Sequence, residues 1–234
     1  MARLFNDQRK KTLQTKNWGN YITYALGEII LVVIGILIAL YINNWNEDRK
    51  DRNTNRVLLN ELKKENNLNI EDLEVDASYR DTLFTSIYEF HEFLEDGNFE
   101  QHRDSLNNYL TVLSRLNTYE LNSDYLEKYI AFNSENQSVL SDELVRLNER
   151  QRGLKIISDK ALELRFEKFF DYLAKDVDFL TLEMQNTDLF RSLEFRNNLI
   201  LIAAIEEGLY EMFIKSLEQQ KKIDSLIEVA LKEK

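Results

Sequence analysis

Residues 22–42, "ITYALGEIILVVIGILIALYI", form an apolar run of 21 residues whose polarity is interrupted only by Thr23 and Glu28. Wound as a helix rising 1.5 Å per residue, such a run is about 30 Å long. That is the thickness of the hydrocarbon core of a bilayer. Aromatic rings bracket it: Trp18, Tyr21 and Tyr24 before, Tyr41 and Trp45 after. Trp and Tyr favour the membrane–water interface, so Trp18, Tyr21, Tyr41 and Trp45 are the expected interface anchors. A cleaved signal peptide would have an apolar region of about 7–15 residues ending in a small-x-small site. Here the run is longer and ends "ALYINNW", so the expectation is an uncleaved signal anchor in contact with the lipid bilayer.

Orientation follows from the flanking cations, because basic residues dominate the choice of cytoplasmic side. Arg3, Arg9, Lys10, Lys11 and Lys16 precede the span against a single Asp7. After it, Arg49, Lys50 and Arg52 are interleaved with Glu47, Asp48 and Asp51. The expected topology puts the N-terminus in the cytoplasm and residues 43–234 outside it. In a bacterium this means the inner membrane, with a periplasmic body.

The rest of the chain has little that would stop a helix. It contains no proline and six glycines in 234 residues, where average usage is about 5% Pro and 7% Gly. Pro and Gly are the strongest helix breakers, so an all-α fold with little or no sheet is expected. The absence of cysteine excludes disulfides, thiolate chemistry and Cys-based zinc sites. The formal net charge is −11 even though the first twenty residues are basic. An acidic body repels nucleic acid, and no nucleic-acid partner is expected.

A carboxyl group inside an apolar span is costly and usually faces protein or water. By i+3/i+4 spacing, Glu28 shares a face with Tyr24, Leu31, Val32, Gly35 and Ala39, and Gly27 lies beside it. Gly35-x-x-x-Ala39 is a small-x-x-x-small step of the kind that lets helices approach closely in lipid. The face containing Gly27, Glu28, Gly35 and Ala39 is therefore the expected packing surface for another helix. Glu28 then has three open roles: fixing the register of an oligomer, lining an ion or proton path in a larger complex, or reaching to the cytoplasmic interface with no partner.

Beyond the span, Leu59, Leu62, Asn66, Asn69 and Leu73 follow a 4–3 rhythm, and polar residues on such a seam can set register in coiled coils. Leu83, Ile87, Phe90 and Leu94 make one stripe, which ends at the turn "EDGNF" around Gly97. A shorter pattern covers Tyr109, Val112, Leu113 and Leu116. Asp124 with Glu127 resembles a capping box, and Ser141 is the expected N-cap of a long helix from near Asp142 to about Phe179. Another helix should run from near Asp188 to the C-terminus. Its "NLILIAAIEEG" is too short in apolar residues to be a second span. The expected organisation is a basic cytoplasmic tail over 1–20, a transmembrane helix over 21–42, a helical stalk over 43–76 and an extracytoplasmic bundle of four or five helices over 77–234.

The stretch "GEIILVVIGILIAL" followed by "NNWNE" resembles an uncharacterised family of single-pass membrane proteins of Gram-negative bacteria. The resemblance is specific over residues 18–48. It implies that Gly27, Glu28, Gly35, Asn43, Asn44 and Trp45 belong to a family signature, and it implies no activity.

Catalytic motifs are lacking: there is no Gly-rich phosphate loop, serine elbow or HExxH. His91 and His102 flank the turn near Glu92, Glu95, Asp96 and Glu100, and helical spacing would bring His91 beside Glu95. Acidic residues around surface histidines are more often a solvated face than a metal site, so neither metal nor cofactor is expected. "FEKFFDYL" (166–173) reads as core rather than a ligand pocket. The sequence thus points to a non-enzymatic homo-oligomeric scaffold or interaction subunit, with another membrane protein as a further candidate partner. Two alternatives stand beside it. One is an accessory subunit of an ion-coupled complex using Glu28, similar in layout to the stators of ion-driven membrane machines. The other is a ligand-sensing ectodomain acting through a partner.

Overall fold

A computed structural model of the protein describes residues 18–97, 101–120, 122–136, 138–181, 183–184 and 186–232, with the side chains of residues 18–21 and 183 outside that description. The chain is all-α. Helix α1 runs Trp18–Glu95, followed by α2 (Arg103–Leu113), α3 (Asp124–Phe132), α4 (Val139–Arg165), a π-helical turn (Phe166–Phe170), α5 (Asp171–Asp176), α6 (Asp188–Arg191) and α7 (Leu193–Lys232). Its only sheet among the described residues is a two-stranded antiparallel pair, β1 (Val177–Asp178) with β2 (Glu183–Met184). Leu180, near the tip between these strands, is 93% exposed.

The chain divides into two compact units, Met1–Asn55 and Arg56–Lys234. In the first, the described helix from Ile22 to Asn55 has no buried residue. Its apolar side chains, from Ile22 through Leu37 to Ile42, stand open. It is the one candidate span among the described residues, long and apolar enough to cross a membrane. The basic tail expected over 1–20 lies outside the described residues up to residue 17.

The second unit is a bundle whose four helical passes can be ordered from their side-chain contacts. Residues 56–95 of α1 rise while α7 falls: Lys63 meets Glu228, Asn66 meets Gln220, Phe84 meets Tyr210 and Glu95 meets Arg196. The segment holding α2 and α3 also runs antiparallel to α1, with Tyr79 on Arg115, Asp76 on Asn117, Asn69 on Asn122 and Glu65 on Tyr125. Helix α4 rises again against α7, Glu143 meeting Gln219 and Lys222 and Arg150 meeting Lys215. This is an up-down-up-down path.

Buried positions recur at alternating steps of three and four: Leu59, Leu62, Asn66, Asn69, Leu73, Asp76 and Arg80 on α1, and Leu140, Leu144, Leu147, Gln151, Leu154 and Ser158 on α4. That rhythm keeps one stripe of each helix facing its neighbours. Apolar clusters fill the two ends. Leu83, Ile87 and Phe90 pack with Leu110, Phe190 and Phe195 at one; Leu59 and Leu62 pack with Leu126, Leu144, Ile223 and Ile227 at the other. Between them lies a third apolar cluster built around Leu73, Leu154, Leu209 and Phe213, interspersed with buried polar residues.

Several sequence expectations are corrected. Residues 43–76 are helical and continuous with the apolar helix, as expected, but from Arg56 on they pack within the second unit. The compact unit begins at Arg56, and Leu59, Leu62 and Leu73 are core residues because α7 folds back along this part of α1. Ser138, not Ser141, is the N-cap of α4, and its hydroxyl accepts the Ser141 backbone N–H at 3.0 Å. No capping box forms at α3: its N-cap is Ser123, without a side-chain cap bond, while Glu127 pairs outward with Arg152 at 2.7 Å. The buried stripe of α2 is Leu106, Leu110 and Leu113, with Leu116 exposed beyond the helix end. The helix expected to reach Phe179 stops at Asp176. The turn at Gly97 is as expected: its φ of 70° is open to glycine at no steric cost and ends α1.

Candidate functional site

On the exposed apolar helix, the Glu28 carboxyl stands in an open groove lined by Ala25, Ile29, Val32 and Val33. Glu28 makes no hydrogen bond or ion pair with the described residues and is itself exposed. Gly35 and Ala39 lie further along, outside that lining. A Cβ added at Gly27 or Gly35 would meet nothing within 4 Å. Among the described residues nothing packs close enough to either glycine to require it. Tyr41 and Trp45 are exposed, as interface anchors need to be. The side chains of Trp18 and Tyr21 lie outside the described residues.

The body carries a second concentration of polar chemistry, centred on the break between α2 and α3. The described residues between the two helices, 114–120 and 122–123, are not helical, so the end of α2 leaves carbonyls and the start of α3 leaves N–H groups without helical partners. Charged side chains from the flanking helices satisfy both. Arg165 on α4 donates to the carbonyls of Leu113 (2.5 Å) and Arg115 (2.9 Å) and to the Tyr79 hydroxyl (2.8 Å). A cation there also complements the helix C-terminal dipole. Glu65 on α1 accepts the N–H groups of Tyr125 (2.8 Å) and Leu126 (2.9 Å), capping α3 from another helix. Asn69 donates to the Asn122 carbonyl at 2.8 Å, and Asn117 donates to Asp76. Tyr119 buries its ring edge-on against Phe213, 5.1 Å between centroids.

The seam asparagines of α1 thus have partners inside their own chain. Asn66 donates to the Gln220 carbonyl at 3.2 Å. One turn or more along, Arg80 of α1 pairs with Glu206 of α7, and both are buried. The Arg80 guanidinium also lies over the Phe213 ring at 5.3 Å. Burial raises the carboxyl of Glu65 above its usual range, against the pull of the two N–H groups it accepts. Burial does the same at Asp76, against Arg80 and Asn117, and it pushes the Tyr119 hydroxyl well above the usual tyrosine range.

The remaining sequence candidates are dispersed. His91 is half-buried on α1 and His102 is exposed just before α2. Among the described residues no group of three or more His, Asp or Glu is placed to hold a metal ion. Phe169 is core, whereas Phe166 is exposed on the π-helical turn and Phe170 stacks between it and Phe179. Sequence reasoning missed Glu65 and Arg165 as capping groups. Their one visible signal was a charged residue at or beside a seam position.

Fold and site together define a class: an all-α body on a chain whose N-terminal helix is long and apolar enough to span a membrane. The chain belongs to the family of unknown function DUF6090, whose profile matches residues 28–208. The match begins at Glu28 and extends into α7, so it takes in both the apolar helix and most of the bundle. No curated protein and no solved structure matches the chain.

Proposed function

We propose that the protein is a non-enzymatic, single-pass membrane protein that self-associates through the face of Gly27, Glu28, Gly35 and Ala39. Its N-terminus is cytoplasmic and its helical body lies outside the cytoplasm, in the periplasm of a bacterial inner membrane. The topology rests on the five basic residues that precede the span. The observation that carries the association is Glu28. It is the single carboxyl in the 21-residue apolar run, and it has no partner among the described residues.

A carboxyl in hydrocarbon is stabilised by a hydrogen-bonding neighbour on another helix. The small residues along the same face allow that helix to come close. A second copy supplies both features at once. Sizing the intact protein in nanodiscs, as wild type, Glu28→Gln and Glu28→Leu, tests this reading. The scaffold reading expects an oligomer for wild type and Gln, weakened by Leu; a monomeric wild type sinks it.

The same lone carboxyl supports a second reading, an accessory subunit of an ion-coupled complex in which Glu28 titrates. There Glu28→Gln would assemble normally and abolish coupling, which separates the two.

A further inference from the structure

We propose that residues 114–120, the non-helical strap after α2, are a gate that opens locally to expose the buried Arg80–Glu206 pair while the bundle stays folded. The strap holds the groups that surround Arg80. The Arg115 carbonyl accepts the Tyr79 hydroxyl at 2.8 Å, Asn117 donates to Asp76, and the Tyr119 ring sits edge-on against Phe213. Tyr79 and Phe213 are the rings over which the Arg80 guanidinium lies, 5.9 and 5.3 Å from their centroids. Asp76 is one turn back on α1, within reach of the Arg80 charge. Positions 115, 117 and 119 thus supply these holds, while Leu116, Thr118 and Glu120 are exposed.

Little apolar surface keeps the strap in place. Tyr119 is the one buried side chain of residues 114–120, and segments with few buried apolar contacts open at a free energy below that of global unfolding. What lies beneath favours opening as well. Burial strips solvent from two charges, and their attraction only partly offsets this. Arg80 Nε and Glu206 Oε1 have no hydrogen-bond partner among the described residues, so the closed state leaves hydrogen-bonding capacity of the pair unused. Lifting the strap gives up the Tyr119 ring contact and the hydrogen bonds at Arg115 and Asn117, and it returns the pair to solvent. Both ends stay anchored, by Arg165 on the Leu113 carbonyl and by Asn69 on the Asn122 carbonyl. The strap can therefore lift without unravelling α2 or α3. The inference concerns the body alone and does not depend on how the apolar helix associates.

The chain has no cysteine, so the rate at which a single introduced thiol reacts with N-ethylmaleimide reports access to it. Full-length protein in nanodiscs carries either Ala77→Cys, in the cluster that contains Tyr119 and Phe213, or Ala203→Cys, in the separate cluster of Leu83 and Phe195. At unchanged helical content, Ala77→Cys should react at least about tenfold faster than Ala203→Cys, the mark of a local opening. Adding Arg80→Met/Glu206→Leu should bring the Ala77→Cys rate down toward that of Ala203→Cys, because no charge is left to gain from solvent. Should Ala77→Cys lose helical content, Ala161→Cys, in the same cluster on α4, gives the same reading. Equal rates at the two clusters overturn the proposal. So does a fast reaction beneath the strap that the apolar pair leaves unchanged.

Discussion

Arg80 and Glu206, 126 positions apart in the chain, form an ion pair in which the two side chains are 4% and 1% exposed. It joins α1 to α7, with the guanidinium over the Phe213 ring of the apolar cluster there. Taking two charges out of water is expensive, and their attraction only partly offsets this. Removing one partner is worse, because it leaves a bare buried charge. Arg80→Ala or Glu206→Ala should therefore destabilise the body by about 3–5 kcal/mol, whereas the pair Arg80→Met/Glu206→Leu should come close to wild type or exceed it. Denaturant titration of the three variants checks this. A double variant that loses as much as the two single variants together would show that the two residues are not coupled, and would overturn this account.

The cap on α3 comes from sixty residues away. Glu65→Ala leaves the N–H groups of Tyr125 and Leu126 without their acceptor. Loss of a helix cap costs about 1–2 kcal/mol, and here two donors are orphaned at once. Stability should fall by about 2 kcal/mol. Hydrogen exchange should accelerate first at Tyr125 and Leu126, with little change in α4. Uniform acceleration across the bundle would mean that Glu65 acts on global stability and not on this local junction.

The same carboxyl gives the body an unusual pH profile. Burial holds the carboxyls of Glu65 and Asp76 above the usual carboxylate range. For a carboxylate shifted upward on folding, the protonated form favours the native state. Its contribution is full below the unfolded pKa and is lost as pH rises through the folded value. Acidifying from neutrality toward about pH 5 should thus stabilise the protein. Glu143 and Glu228 are held down by hydrogen bonds from Lys222 and Lys63, so their contribution is present above their unfolded values and is lost on further acidification. The stability maximum should lie on the acidic side of pH 7, and Glu65→Gln should flatten the rise between pH 7 and 5. Thermal melts across that range decide it.

These buried charges also show where the sequence stopped being legible. The all-α class followed from missing breakers, and the stripe Leu83–Ile87–Phe90–Leu94 and the Gly97 turn followed from local rhythm; each is local information. The end of the stalk was not local. Leu59 and Leu62 are core only because Ile223 and Ile227 return beside them, and nothing near Leu59 announces that return. Arg165 and Glu65 read as ordinary charges until a helix break fifty or sixty residues away supplies the carbonyls and N–H groups they serve. In "SVLS" the cap is Ser138, three positions before the Ser141 that the sequence pointed to. On the apolar helix, by contrast, every described side is open, because no other part of the described first unit packs against it.

That last point yields a sharp prediction for Gly35. A side chain there meets nothing within 4 Å in a single copy, and replacing glycine raises helix propensity by up to about 1 kcal/mol. Within one chain, Gly35→Leu should therefore be neutral or mildly stabilising. A second helix approaching at the close distance that small residues permit would collide with the new isobutyl group. The expected result is wild-type helicity and melting of the body, together with loss of the oligomer in nanodiscs. Gly208 serves as the control: it is exposed in the body and equally open to a Cβ, so Gly208→Leu should leave association untouched. If Gly35→Leu associates like wild type while Glu28→Leu does not, the carboxyl acts alone and the helices do not meet along the small-residue face.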